Sequence, residues 1–169
     1  GTTLSLEAQT SIGYGKNKIY NVEDALGGSA NDTLIGNNSK NILDGGAGDD
    51  ILFGFGGIGN ILVGGTGNDT ILGLLGGDII YGGSVTYTVA RDGIATSTVD
   101  GSDWVDYSYI ADTRAVNIDL NQNKAEQIGT TSNADSLIYI QNAKGTKNND
   151  ILKGDDDFNI TNSLLGYKG

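Results

Sequence analysis

Six side chains recur at a fixed step through the first half of the chain: Asp32, Asn41, Asp50, Asn60, Asp69 and Asp78. Two positions beyond each stands an aliphatic residue: Leu34, Leu43, Leu52, Leu62, Ile71 and Ile80. Carboxylate and amide oxygens set among glycine-rich turns are hard donors, and the chemistry they suit is the binding of a hard, oxygen-loving cation. The chain has no Cys and no His. That excludes disulfides, thiolate metal sites, His-ligated zinc and the Ser-His or Cys-His nucleophiles. Twenty-eight glycines without one proline also exclude collagen.

The acidity has a particular character. Net charge is -11, and of 21 acidic residues only Glu7, Glu23 and Glu126 are not Asp. A helical chain would favour Glu, whereas Asp belongs to turns. Such a surface repels nucleic acid and anionic lipid and attracts cations. No apolar run approaches the ~18 residues of a membrane span, and no signal peptide opens the chain. It begins at Gly1 without Met, and reads as a fragment of something larger.

The elements that must position the recurring oxygens follow from the spacing. Residues 27–83 divide into GGSANDTLI (27–35), GNNSKNILD (36–44), GGAGDDILF (45–53), GFGGIGNILV (54–63, one residue longer), GGTGNDTIL (64–72) and GLLGGDIIY (73–81). In each unit about six turn-forming residues precede a three-residue strand whose middle side chain faces one way and whose neighbours face the other. Each unit reverses the chain, so two units, about 18 residues, close one coil. Coils stack as two parallel sheets with the aliphatic column between them, since no unit buries its face alone.

These residues resemble the repeats-in-toxin (RTX) family, whose unit is GGxGxD followed by x, a large aliphatic and x. GGAGDD and GGTGND lie close to that pattern, and the resemblance covers 27–83 and part of 138–169. It implies an all-β parallel β-roll with Ca²⁺ in the turns. The expected organisation is lead-in strands over 1–26, the roll over 27–83, a β-rich spacer over 84–137 and the start of a second, degenerate roll over 138–169.

Stacking sends alternate turns to opposite edges. One edge collects Gly28-Ser29-Ala30-Asn31-Asp32, Gly45-Gly46-Ala47-Gly48-Asp49-Asp50 and Gly64-Gly65-Thr66-Gly67-Asn68-Asp69. Two carboxylates and several loop carbonyls from adjacent turns can enclose one calcium ion, which takes six to eight oxygens. Three turns make two complete sites. A third is possible where Gly82-Gly83-Ser84 begin another turn, although that turn lacks the Asp. The opposite edge, with Asn41, Asn60, Lys40 and the lengthened turn, is expected to be empty or weakly occupied, with Asp78 its one acid in the column. Asp150 is a further candidate ligand.

Outside the array, Val85 to Ala90 and Ala115 to Leu120 alternate as strands do. The segment Asp103-Trp104-Val105-Asp106-Tyr107-Ser108 reads as a wide turn with Trp104 and Tyr107 as core or capping side chains, its alternative being an extra calcium site. Ile19-Tyr20-Asn21-Val22 before Asp32 and Ile140-Gln141-Asn142-Ala143 before Asp150 suggest a tandem array. Asp155-Asp156-Asp157 reads as a solvated acidic turn. Columns of outward apolar residues (Ile42, Ile61, Val63, Ile79 and Tyr81 on one sheet, Ile35, Ile51, Phe53 and Leu72 on the other) imply a covered face, against the spacer, a neighbouring module or a partner protein.

Function follows as an expectation: a non-catalytic calcium-binding module of a large secreted or surface bacterial protein, unfolded for type I export and folded outside by calcium. The alternative is an accessory module of a secreted enzyme. A glycosidase or lyase using paired carboxylates lacks evident cleft residues, and the flat Thr ladder of an ice-binding surface is missing, since only Thr66 occupies such a turn position.

Overall fold

The computed structural model describes residues 3–5, 10–13, 15–18, 23–72, 76–87, 94–97, 101–110, 114–129, 133–154 and 163–166. Among them there is no helix, and therefore none able to cross a membrane. The strands are β1 (Thr3–Ser5), β2 (Thr10–Gly13), β3 (Gly15–Lys18), β4 (Asp24–Leu26), β5 (Thr33–Ile35), β6 (Ile42–Ala47), β7 (Ile51–Phe53), β8 (Ile61–Thr66), β9 (Thr70–Leu72) and β10 (Ile79–Tyr81). They continue as β11 (Val85–Tyr87), β12 (Ile94–Ser97), β13 (Trp104–Asp106), β14 (Val116–Asp119), β15 (Lys124–Gln127), β16 (Asp135–Ile138), β17 (Asn142–Lys144), β18 (Ile151–Lys153) and β19 (Ser163–Leu165).

Two sheets build the solenoid. In the first, β5, β7, β9, β13, β17 and β19 run parallel in that order, with β1, β2 and β3 added at the β5 edge. In the second, β4, β6, β8, β10 and β16 run parallel, followed by β15, β14 and β18. The chain alternates between the sheets as the nine-residue step requires. Register places Leu34, Leu52, Ile71, Val105, Ala143 and Leu164 in one ladder, and Ala25, Leu43, Leu62, Ile80 and Leu137 in the other. These middle side chains meet between the sheets, and all but the half-buried Leu164 are buried in one core.

The same sheets run on past the readable repeats. Strands β13 and β16 of the 84–137 segment pair in parallel with β9 and β10. Strands β17 and β19, in the segment expected to open a second roll, are hydrogen-bonded onto that same stack. Two excursions interrupt it: the antiparallel pair β11–β12, and the β14–β15 hairpin inserted beside β16. Two of the lysines close cross-strand ion pairs, Lys144 with Asp106 at 3.0 Å and Lys153 with Asp119 at 3.1 Å, each directly opposite its acid in the register.

The outward apolar columns divide. Ile61, Val63 and Leu72 are buried, Ile35, Ile42, Phe53 and Tyr81 are half-buried, and Ile51 and Ile79 are exposed. Part of the cover over Phe53 is aromatic. Tyr109, from the segment after β13, lies with its ring 6.3 Å away, and Phe55 meets Phe53 edge-on at 5.3 Å. Phe55 belongs to the one lengthened turn and has φ 61°, a left-handed conformation uncommon outside glycine.

Candidate metal centre

The turns leading from the second sheet to the first form one edge. There Asp32, Asp50 and Asp69 are all buried and stand one coil apart. They are joined through the backbone: the Asp32 N–H donates to Asp50 Oδ1 at 2.7 Å, and the Asp50 N–H donates to Asp69 Oδ1 at 2.8 Å. The column then gains a member that the sequence reading placed in a wide turn. The Asp69 N–H donates to Asp103 Oδ1 at 2.9 Å, and Asp103 is fully buried. Trp104–Asp106 is a strand because its backbone is paired on both sides, between β9 and β17. Tyr107 is core, as expected, and Trp104 is half-buried. The column ends on an amide, with the Asp103 N–H donating to Gln141 Oε1 at 2.7 Å.

A second ladder runs outside the first. Asn31 Oδ1 accepts the Asp49 N–H at 3.0 Å, Asp49 Oδ1 accepts the Asn68 N–H at 2.8 Å, and Asn68 Oδ1 accepts the Ser102 N–H at 2.9 Å. Turn glycines stack beneath. A Cβ on Gly46 would collide with the Gly28 carbonyl, one on Gly65 with the Gly46 carbonyl, and one on Gly67 with the Gly48 carbonyl. The first glycine of each turn faces its own acid: a Cβ on Gly45 would meet Asp50 Oδ2 and the Gly64 carbonyl, and one on Gly64 would meet Asp69 Oδ2 and the Gly82 carbonyl. Carboxylate and carbonyl oxygens thus converge at each gap between turns. Among the described residues no three acidic side chains gather at one point, so a cation here takes much of its shell from the backbone.

The sequence family described as RTX calcium-binding nonapeptide repeat (4 copies) matches the chain over residues 26–59 and again over 55–88. Over residues 26–88 the chain is similar to an RTX array. No curated protein matches the chain. RTX nonapeptide repeats bind Ca²⁺, and one atom of this array tests the fit. Asp50 Oδ2 is buried and has no hydrogen-bond partner, whereas the matching Asp32 Oδ2 accepts the Gly28 N–H at 2.7 Å. A buried carboxylate oxygen left without a donor is costly, and it points where the carbonyls converge. Burial, and then the charges of Asp32, Asp49 and Asp44, push the Asp50 carboxyl above the usual carboxylate range. A divalent ion reverses that preference.

Asp50→Asn separates the roles of the two oxygens. The amide oxygen can still accept the Asp32 N–H, as Asn60 Oδ1 accepts the Asn41 N–H at 2.8 Å, so the ladder survives. The charge that two adjacent gaps would share is lost. We expect the calcium midpoint of folding to rise about tenfold or more, at ~1.4 kcal/mol per decade. An unchanged midpoint would refute the sharing of Asp50.

On the opposite edge the RTX turns are built differently. Asn41 and Asn60 continue the ladder as amides, with the Asn60 N–H donating to Asp78 Oδ1 and the Asp78 N–H to Asp135 Oδ1, at 2.8 and 2.9 Å. Asp135 and Tyr107 are additions that the nine-residue period did not reveal. The Tyr107 hydroxyl donates to Asp135 Oδ2 at 2.7 Å, and burial first, then Asp135, raises its pKa well above that of an ordinary tyrosine. Burial, and then the Asp135 charge, push Asp78 up to about 6.

That shift has a definite sign. A folded-state pKa raised above 3.8 means that the ionised Asp78 opposes folding; the penalty is absent below pH ~4, grows as pH rises and is complete above about 6. At ~1.4 kcal/mol per pH unit it amounts to roughly 3 kcal/mol. Asp78→Asn keeps the Asn60 contact and removes the charge. In saturating calcium the variant should therefore unfold at higher urea than the parent at pH 7.5, with the difference vanishing near pH 4. A less stable variant at pH 7.5 would mean that Asp78 itself holds a cation.

Asp150 lies on this second edge, in the turn between β17 and β18. Its Oδ1 accepts the Val116 N–H at 2.9 Å and the Thr146 hydroxyl at 2.8 Å, while Oδ2 is buried and has no hydrogen-bond partner. Val116 holds the matching place one coil away, so on that side the column supplies no second carboxylate among the described residues. Residues 19–22 and 155–157 lie outside the described residues.

Proposed function

We propose that this chain is a calcium-folded RTX module of a large secreted or cell-surface bacterial protein, acting as a structural stalk or interaction segment rather than as a catalyst. Its first ion lies between the 27–32 and 45–50 turns and its second between the 45–50 and 64–69 turns, held by Asp32, Asp50 and Asp69 with carbonyl oxygens of residues 28–31, 45–49 and 64–68. The buried, unpartnered Asp50 Oδ2 carries this reading, because a site built for a cation explains an oxygen that the protein leaves unsatisfied.

In calcium-poor cytosol the acid column repels and each coil buries too little apolar surface to offset its ordering, so the chain stays extended for export, through the type I route that RTX proteins typically use. Outside, at about 10⁻⁴–10⁻³ M calcium, binding becomes folding free energy. A structure of calcium-soaked crystals with anomalous scattering tests the assignment. Ions should line the Asp32–Asp50–Asp69 edge and be few opposite. Equal occupancy of the two edges would overturn the assignment.

A further inference from the structure

Gly82-Gly83 open an RTX turn with no acid behind them in sequence, yet in three dimensions that turn is completed. The Gly82 N–H donates to the Ile138 carbonyl at 2.8 Å, as the Gly27 N–H does to the Asp44 carbonyl at 2.7 Å. Its own carbonyl accepts the Gly65 N–H at 3.1 Å. A Cβ on Gly82 would meet Asp103 Oδ2, in the relation that Gly45 bears to Asp50 and Gly64 to Asp69. Gly101 has φ 71°, in the left-handed region where Gly48 and Gly67 also lie, at 116° and 126°. A Cβ on Gly101 would strike the Gly67 carbonyl, just as one on Gly67 would strike that of Gly48. Ser102 and Asp103 then extend both side-chain ladders, and Val105 joins the buried aliphatic one.

We infer that Gly82-Gly83 and residues 101–106 are one nonapeptide repeat, split at its third position by residues 84–100, and that Asp103 and Asp69 close a third divalent-cation site on the acidic edge. With 84–100 reduced to one residue the chain reads G-G-x-G-S-D-W-V-D, the pattern of GGTGNDTIL. The site rests on the calcium reading above and lies one coil beyond the two gaps named there. Its consequence is mechanical. The β11–β12 pair leaves the roll from inside a metal-binding turn, and both of its roots, Gly83 and Gly101, belong to that turn. A cation drawing the halves together bears part of the entropy of closing the excursion, so occupancy fixes where the hairpin emerges.

Equilibrium dialysis of the full chain with ⁴⁵Ca²⁺ tests this. The parent should hold one more tightly bound ion than Asp103→Asn, whose amide can maintain the ladder as Asn41 and Asn60 do. Asp32→Asn serves as the control for the shared reading. If Asp32→Asn loses an ion and Asp103→Asn does not, the split repeat is wrong and the calcium reading stands; if neither loses one, both fall. A second variant replaces residues 84–100 by a single Thr. It should fold with calcium and retain the parent's ion count. Failure to fold, or the loss of an ion, would overturn the inference.

Discussion

Chelating calcium from the full chain at neutral pH should abolish most of its β-sheet circular dichroism, and returning calcium in the 10⁻⁴–10⁻³ M range should restore it. The reason lies in the column. Asp32, Asp50, Asp69 and Asp103 are buried in successive coils, each held against the next by a hydrogen bond that fixes their spacing. The ladder's donors are backbone N–H groups, which carry no formal charge. Burial and neighbouring carboxylates already raise the Asp50 pKa, which means that its ionised form opposes the metal-free fold.

The sign follows. The Asp50 contribution to metal-free stability is least favourable at neutral pH and recovers as pH falls through its raised pKa toward 3.8. Part of the β signal should therefore return on acidifying the chelated chain. Magnesium should not replace calcium, because it is smaller, demands near-octahedral geometry and surrenders its waters reluctantly. A cooperative thermal transition retained in chelator at pH 7.5 would remove calcium from the folding argument.

Much of this architecture was legible in the chain because two columns, one aliphatic and one polar, kept a common step. Wherever that step held, the sequence gives the strand, the facing of its middle side chain and the edge on which its turn falls. Leu34, Leu52 and Ile71 are opposite one another because each sits two positions beyond an Asp. What escaped was whatever the step did not carry. Asp103 is 34 residues beyond Asp69 rather than 18 or 19, because residues 84–100 intervene within one turn. Loop closure costs little more for a longer loop, so parallel pairing tolerates such an excursion, whereas a periodic reading does not.

Asp135 was hidden for a related reason. It is opposite Asp78 only after β13 and the β14–β15 hairpin have been threaded. Its partner, the Tyr107 hydroxyl, belongs to a residue whose expected place in the core said nothing of what it would face there. Conversely, the weaker acidity of the second edge could be read directly from Asn41 and Asn60. An amide can serve the backbone ladder as a carboxylate does, so substitution there left the fold intact and altered only the charge.

Gly64→Ala should be a strongly damaging single-methyl change in the array. Gly64 does not have a positive φ, so an L-residue is conformationally acceptable there and the reason for glycine is space. Its missing Cβ is where Asp69 Oδ2 and the Gly82 carbonyl converge. Neither can retreat: Asp69 Oδ1 is fixed by the Asp50 N–H, and the Gly82 carbonyl by the Gly65 N–H. The methyl therefore separates two turns, and forced overpacking of this kind costs about 1–3 kcal/mol. At the proposed third site it would also displace cation ligands, so the loss would fall on calcium affinity as well as on packing. Gly59→Ala is the informative contrast. Gly59 has φ 73° with open space around its Cβ position, so alanine there meets backbone strain alone, about 1–2 kcal/mol, on the edge poor in acids. Calcium titrations followed by circular dichroism should show Gly64→Ala folding only at calcium levels ~10-fold or more above the parent, or not folding at all. Gly59→Ala should keep a near-parental calcium midpoint and unfold at lower temperature in saturating calcium. Equal calcium midpoints for the two variants would mean that the gap between the 64–69 turn and Gly82 holds no ion, and that its glycine serves packing only.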